Sequence, residues 1–182
     1  MRGGLWLIRL LLLVAVSAVV FSPLVVHGEA SAPRTLDLEG NVSNLALPSS
    51  PTYPVVTAYR EVRLALSESR CEKARVSLSF ASDDAVAIMK LAMREDYSAA
   101  VQHAATYRQD FDRSVGWTVV EGQDGTNVAA LLAELKNEHM RQQAALARAC
   151  ALVPPWAVDG LDTARRHAAA VLLEAIEVLE TG

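Results

Sequence analysis

The 182-residue chain is 52% hydrophobic, 5% aromatic and 21% charged, with three Lys against fourteen Arg and a formal charge of -4. A chain of this length suits one domain whose core closes without metals or disulfides, and the composition excludes disordered, collagen-like and Cys-stapled classes. The acidic balance and the scarcity of aromatic rings exclude a strongly basic nucleic-acid binder with base-stacking platforms.

Residues 1–28 read as an export signal or a membrane anchor. Arg2 and Arg9 precede a 17-residue uncharged run, Leu10 to Val26, and the first acid of the chain is Glu29. Positive charge ahead of an apolar run orients the N-terminus to the cytoplasm and sends the rest outward. Small residues before a cut after Gly28 or Ala30 suit a peptidase, while the apolar run is close to the lower limit for spanning hydrocarbon, so cleaved and anchored forms both fit. No Cys stands directly after the run, which excludes a lipoprotein. The domain is therefore expected on the extracytoplasmic side, secreted or held at the membrane by residues 1–28.

Residues 29–54 carry Pro33, Pro48, Pro51 and Pro54 among Ser, Asn and Thr, with no period of 2 or 3.6, and read as a tether. Asn41-Val42-Ser43 matches a glycosylation acceptor but reads as ordinary linker.

Residues 55–182 are helical in pattern, and the expected fold is all-α: an antiparallel bundle of four to five helices behind the N-terminal segment. Val55, Tyr59, Val62 and Leu66 give the first helix its inner face, after Pro54. A second helix, capped by Ser67 or Ser69 and ending near Glu95, carries Cys71, Ala74, Leu78, Ala81, Ala85, Ile88 and Ala92 at spacings of 3 and 4. Asp96 caps a third, with Ala100, Ala104, Tyr107 and Phe111 inward. Gly116 to Asn127, with three glycines, reads as the one substantial internal loop. The fourth helix, capped by Thr126 or Asn127, repeats Val128, Leu132, Leu135, His139, Gln142, Leu146, Ala149 and Val153, and Pro154-Pro155 stops it. The fifth opens near Trp156 or Asp159 and places Leu161, Ala164, Ala168, Val171, Ala175 and Val178 on one face.

Chemistry has few starting points. No G-x-S-x-G, phosphate loop, Cys-x-x-Cys or H-E-x-x-H stands in the sequence, and no acid lies three residues before any of His27, His103, His139 and His167. No catalytic, cofactor-binding or metal site is therefore expected. His139 and Gln142, one turn apart on an apolar stripe, are the most pointed polar feature. They suit either a mutually satisfied buried polar pair or a ligand or pH-sensing site. His103 and His167 read as solvated or half-buried, since one imidazole without co-ligands makes no metal site, and Asp83-Asp84 and Arg165-Arg166 read as solvated helix faces, since neighbours on a helix point about 100° apart and cannot share one reacting group.

Two cysteines in an exported domain suit a disulfide. In an up-down bundle, however, Cys71 and Cys150 fall at opposite ends of parallel helices, about 25–30 Å apart at 1.5 Å per residue, far beyond disulfide reach. A bridge and two buried free thiols both stay open.

Leu47-Pro48-Ser49-Ser50-Pro51-Thr52-Tyr53-Pro54-Val55-Val56, leading into Tyr59-Arg60-Glu61-Val62-Arg63-Leu64-Ala65-Leu66, resembles the opening of a bacterial extracytoplasmic helical family, domain of unknown function 5667. The likeness continues through Glu95 to Ala100 and Leu131 to Leu146, and covers about residues 47–179. A Val after Tyr-Pro and a longer 116–127 segment depart from the family pattern. The resemblance carries no catalytic residues. It implies an envelope location, and some members look like membrane proteins with a cytoplasmic anti-sigma-like segment. Only nine residues precede the apolar run here, so signalling would need a partner.

The reading is a non-catalytic envelope interaction or sensing module whose partner is another envelope protein. The alternative is a small-ligand or metal-binding bundle using His139 and Gln142. No cofactor is expected, and the membrane is a partner only if residues 1–28 stay attached.

Overall fold

The computed structural model describes residues 53–181; the signal or anchor of residues 1–28 and most of the tether lie outside them. The described residues form five helices and no strand: α1 (Tyr53–Leu66), α2 (Arg70–Met93), α3 (Tyr97–Gln123), α4 (Ala129–Leu152) and α5 (Pro155–Thr181). Among them no helix is long and apolar enough to cross a membrane.

Local chemistry places most helix ends. Ser69 caps α2, its hydroxyl accepting from the Glu72 amide at 3.1 Å, while the Glu72 carboxylate reaches back to the Glu68 amide at 2.8 Å. At the other end of α2 the Glu95 amide donates to Ala92 and the Asp96 amide to Leu91, with Glu95 in the left-handed region at φ 62°. Asp96 then caps α3, accepting from the Ala99 amide at 3.3 Å. The same turn recurs after α3, where Gly125 (φ 86°) donates to Gly122 and Thr126 to Glu121. Pro155 opens α5, where a missing N–H costs nothing.

The segment expected as a loop is mostly helix. α3 runs on through Gly116 and Gly122 to Gln123, leaving only residues 124–128 as connection. Two glycines each weaken a helix by about 1 kcal/mol, but packing prevails here. Thr118 is buried with its hydroxyl bonded to the Ser114 carbonyl at 2.8 Å, Val119 packs on the core, and Gly122 lets Leu179 of α5 come close.

α2 packs on both α3 and α4, α5 packs on the same two, and α3 barely touches α4. The short 124–128 turn thus carries the chain to the diagonally opposite helix. Arg75–Glu134 and Gln142–Ser82 contacts show that α2 and α4 run parallel. Val101 against Gly160 and His167 against Asp112 show the same for α3 and α5. Sequence neighbours remain antiparallel. Tyr107, Phe111, Ile88, Leu91, Leu135, Leu146 and Leu161 fill the centre, and alanines such as Ala81, Ala85, Ala100, Ala104, Ala164 and Ala168 let the helices approach closely.

α1 lies against α2 and is rotated from the expected face. Val56 and Arg60 are its buried residues, whereas Val55, Tyr59 and Leu66 are 56%, 42% and 59% exposed. The rotation follows from Arg60, whose guanidinium is drawn to two aspartates beneath α1.

Candidate functional site

Arg60 reaches down from α1 into the cleft between α2 and α3. Its Nη2 donates to Asp84 Oδ1 at 2.7 Å and its Nη1 to Asp84 Oδ2 at 3.1 Å, a two-point fork on one carboxylate. The same Nη1 donates to Asp110 Oδ2 on α3 at 3.2 Å. Asp110 also faces Arg113 at 3.5 Å, and Arg113 pairs with Glu61 of α1 at 3.1 Å. The Phe80 ring lies 5.0 Å from the Arg60 guanidinium and 6.0 Å from that of Arg63. Asp84, read from sequence as solvated, is wholly buried because helical register turns it inward beside Ala81, Ala85 and Ile88.

His103 corrects the same expectation. It is 1% exposed, with Nε2 3.3 Å from Asp84 Oδ1 but out of line for a hydrogen bond, and neither ring nitrogen has a hydrogen-bond partner among the described residues. Tyr53 packs on it, ring centroids 6.0 Å apart. Burial, with the charge of Arg60 adding to it, lowers the His103 pKa to about 4, so the imidazole is neutral. Burial pushes Asp84 up to about 7 despite the hydrogen bond and charge of Arg60, and raises Asp110 in the same direction. Burial works against the charge on Arg60, but the hydrogen bond to Asp84 and the charges of Asp84, Asp110 and Asp83 more than offset it and raise its pKa.

Two clefts flank α1. On one side a trough of about 400 Å³ runs between α1, α2 and α4, lined by Val56, Tyr59, Arg63, Phe80, Arg75 and Glu138 among others. On the other a smaller cleft of about 240 Å³ opens toward α3 beside Thr57, Gln109 and Arg113. Neither Asp84 nor His103 lines either cleft. Arg60, however, lines both clefts, and Asp110 and Arg113 line the smaller one, so the ion cluster fastens α1 to α2 and α3 and also reaches the cleft walls.

His139 and Gln142 are both buried, at 8% and 2% exposure, and each has its own surroundings. The Gln142 carbonyl accepts from the Tyr107 hydroxyl at 3.3 Å, its amide donates to Ser82 Oγ at 2.9 Å, and Ser82 Oγ donates to Glu138 at 3.3 Å at the trough wall. His139 packs on Phe111, ring centroids 5.4 Å apart; burial lowers its pKa, and its Nδ1 has no hydrogen-bond partner among the described residues. No group of three or more potential metal ligands occurs among those residues. His167, half-exposed, meets the Asp112 carboxylate at 2.8 and 2.9 Å. Cys71 and Cys150 are free and half-buried, near opposite ends of the parallel helices α2 and α4. Burial raises the Cys150 pKa.

The cluster had a signal in the sequence that motif reading passes over. His103, Tyr107, Asp110, Ser114 and Thr118 recur at spacings of 4, 3, 4 and 4 and are all buried on α3. A polar ladder with helical period facing an Ala-rich neighbour marks a polar seam.

No family model matches the chain, and no curated protein or solved structure is similar to it.

Proposed function

We propose that this chain is a non-catalytic interaction or sensing module of the cell envelope, in which α1 is the element that responds to a partner. The observation that carries the reading is how α1 is held. Val56 is its only buried apolar side chain, and its main fastening is Arg60 on Asp84 and Asp110, with a cleft on either side. An element fastened by one ion cluster and little apolar surface belongs to the least stable part of a fold, from which switching elements are drawn. The uncharged run Leu10–Val26 after two arginines supports the envelope location, as does the Leu47-Pro48 to Tyr53-Pro54 likeness to an extracytoplasmic family.

Hydrogen exchange on the full chain tests the mechanical half: α1 amides exchange through a local opening well before those around Ile88 and Leu91. Equal protection of α1 and α2 sinks the reading. Photo-crosslinking from position 59 in intact cells tests the other half, and its expected product is one envelope partner.

The trough supports a second reading, capture of a small molecule. Its volume falls within the range of ligand pockets. Thermal-shift screening of small molecules, with Tyr59→Ala and Arg63→Ala abolishing any shift, separates this reading from a protein partner.

A further inference from the structure

Because α2 runs parallel to α4 and α3 to α5, four helix ends meet at one end of the bundle: the C-termini of α2 and α4 and the N-termini of α3 and α5. That end is apolar and aromatic. Met93 is 66% exposed, Leu152 48% and Trp156 63%, and the half-buried Tyr97 meets Trp156 edge-on with ring centroids 6.5 Å apart. Val153 and Pro154 form the turn after Leu152, and Pro155 opens α5 just before Trp156. Arg94 and Arg148 stand exposed beside this surface, with no carboxylate within ion-pair distance among the described residues; Glu95 and Asp159 are exposed there too. The opposite end instead carries the ion pairs of Arg70 with Glu121 and Asp124.

We infer that this end docks on the headgroup boundary of a lipid bilayer, with Trp156, Leu152 and Met93 inserted and Arg94 and Arg148 at headgroup level. The inference rests on the envelope reading above. Three observations choose a bilayer over a second protein. A Tyr–Trp pair with flanking arginines is the chemistry of membrane interfaces. α1 runs antiparallel to α2, so Tyr53, packed on His103, joins the bundle toward this same end, about 9 Å from the level of Tyr97 at 1.5 Å per residue. The 52 residues that precede Tyr53 include the apolar run Leu10–Val26, long enough to approach the thickness of hydrocarbon. Three apolar side chains alone bind a bilayer weakly. Joined to a membrane segment, they act at an effective concentration in the mM range, which makes a weak contact sufficient.

The test uses the full chain in vesicles of phosphatidylcholine and phosphatidylglycerol, with Trp6→Phe and Trp117→Phe so that only Trp156 emits. Acyl chains brominated near the headgroup are expected to quench Trp156 by about twofold or more relative to unbrominated lipid, the shallow depth of an interfacial side chain. Met93→Ser with Leu152→Ser lowers that quenching while circular dichroism stays unchanged. Equal emission in both vesicles overturns the proposal, as does an emission change that follows protein concentration at fixed lipid, which would show a second copy covering this end. A chain that reconstitutes but leaves Trp156 unquenched overturns only the docking. A chain found with soluble cytoplasmic protein on cell fractionation overturns the envelope reading itself.

Discussion

Arg60 of α1 holds Asp84 of α2 through two hydrogen bonds, 2.7 and 3.1 Å long, at a point where the carboxylate is fully shielded from water. Removing one partner of such a pair costs about 3–5 kcal/mol, because the other charge stays behind unpaired. Asp84→Ala leaves Arg60 with Asp110 as a partner at 3.2 Å, so it is expected to destabilise the chain by the lower end of that range, about 3 kcal/mol, measured by urea unfolding. Arg60→Ala costs less at low pH than at high pH, since an unpaired Asp84 takes up a proton. Combining the two substitutions costs well under the sum of the single losses, and strict additivity would show that the contact contributes nothing.

His103 and Asp84 act on stability with opposite signs. The folded His103 pKa, about 4, is below its ordinary value, so its contribution is complete above the unfolded pKa of about 6.5 and is lost as pH falls toward 4. The folded Asp84 value, about 7, is above the ordinary one, so its contribution is complete below about 4 and is lost as pH rises through 7. Replacing His103 by Gln removes only the first dependence. The stability deficit of His103→Gln relative to the parent is thus expected to shrink between pH 6.5 and pH 4.5. Unfolding curves at three pH values check it, and a constant deficit would show that His103 is not held neutral.

The inner faces of α2 to α5 were legible because small and apolar residues recur there at 3 and 4: Ala81, Ala85 and Ile88, or Leu161, Ala164 and Ala168, are all buried as their spacing implies. Three features were not. On α1 the stripe Val55, Tyr59, Leu66 is more apolar than the face that packs, because attraction between Arg60 and two aspartates distant in sequence sets the rotation. Gly116 and Gly122 read as loop because their local preference is unfavourable, and the packing of Thr118, Val119 and Leu179 that overrides it is tertiary. Asp84 was hidden for a similar reason, since a buried charge shows in sequence only when its partner is known and Arg60 lies 24 residues away, whereas His103 was legible only as the first rung of the polar ladder on α3.

The paired turns after α2 and α3 offer a matched test. Glu95 and Gly125 occupy the same left-handed position, at φ 62° and 86°, but only glycine holds it without crowding by a Cβ. Glu95→Gly is expected to stabilise the fold by about 0.5–1 kcal/mol, and Gly125→Ala to destabilise it by about 1 kcal/mol. Thermal or urea midpoints read both, and movement of the two in the same direction would contradict the turn geometry.

Glycines inside the helices divide by what an added methyl group would meet. Gly116 is exposed and has nothing within 4 Å of a built Cβ, so Gly116→Ala gains helix propensity alone, about 0.5–1 kcal/mol of stability. At Gly160 the added Cβ comes within 2.9 Å of Val101 Cγ1, on a short branched side chain with little freedom to turn away. Parallel helices α3 and α5 must separate there to admit it, and overpacking of this kind costs about 1–3 kcal/mol, more than the propensity gain. Gly160→Ala is therefore expected to lower the urea midpoint while Gly116→Ala raises it. Gly122→Ala falls between them, since the atom it meets at 2.3 Å is the far end of the flexible Leu179 side chain. A Gly160→Ala protein as stable as Gly116→Ala would mean that α3 and α5 are not in close contact at Val101.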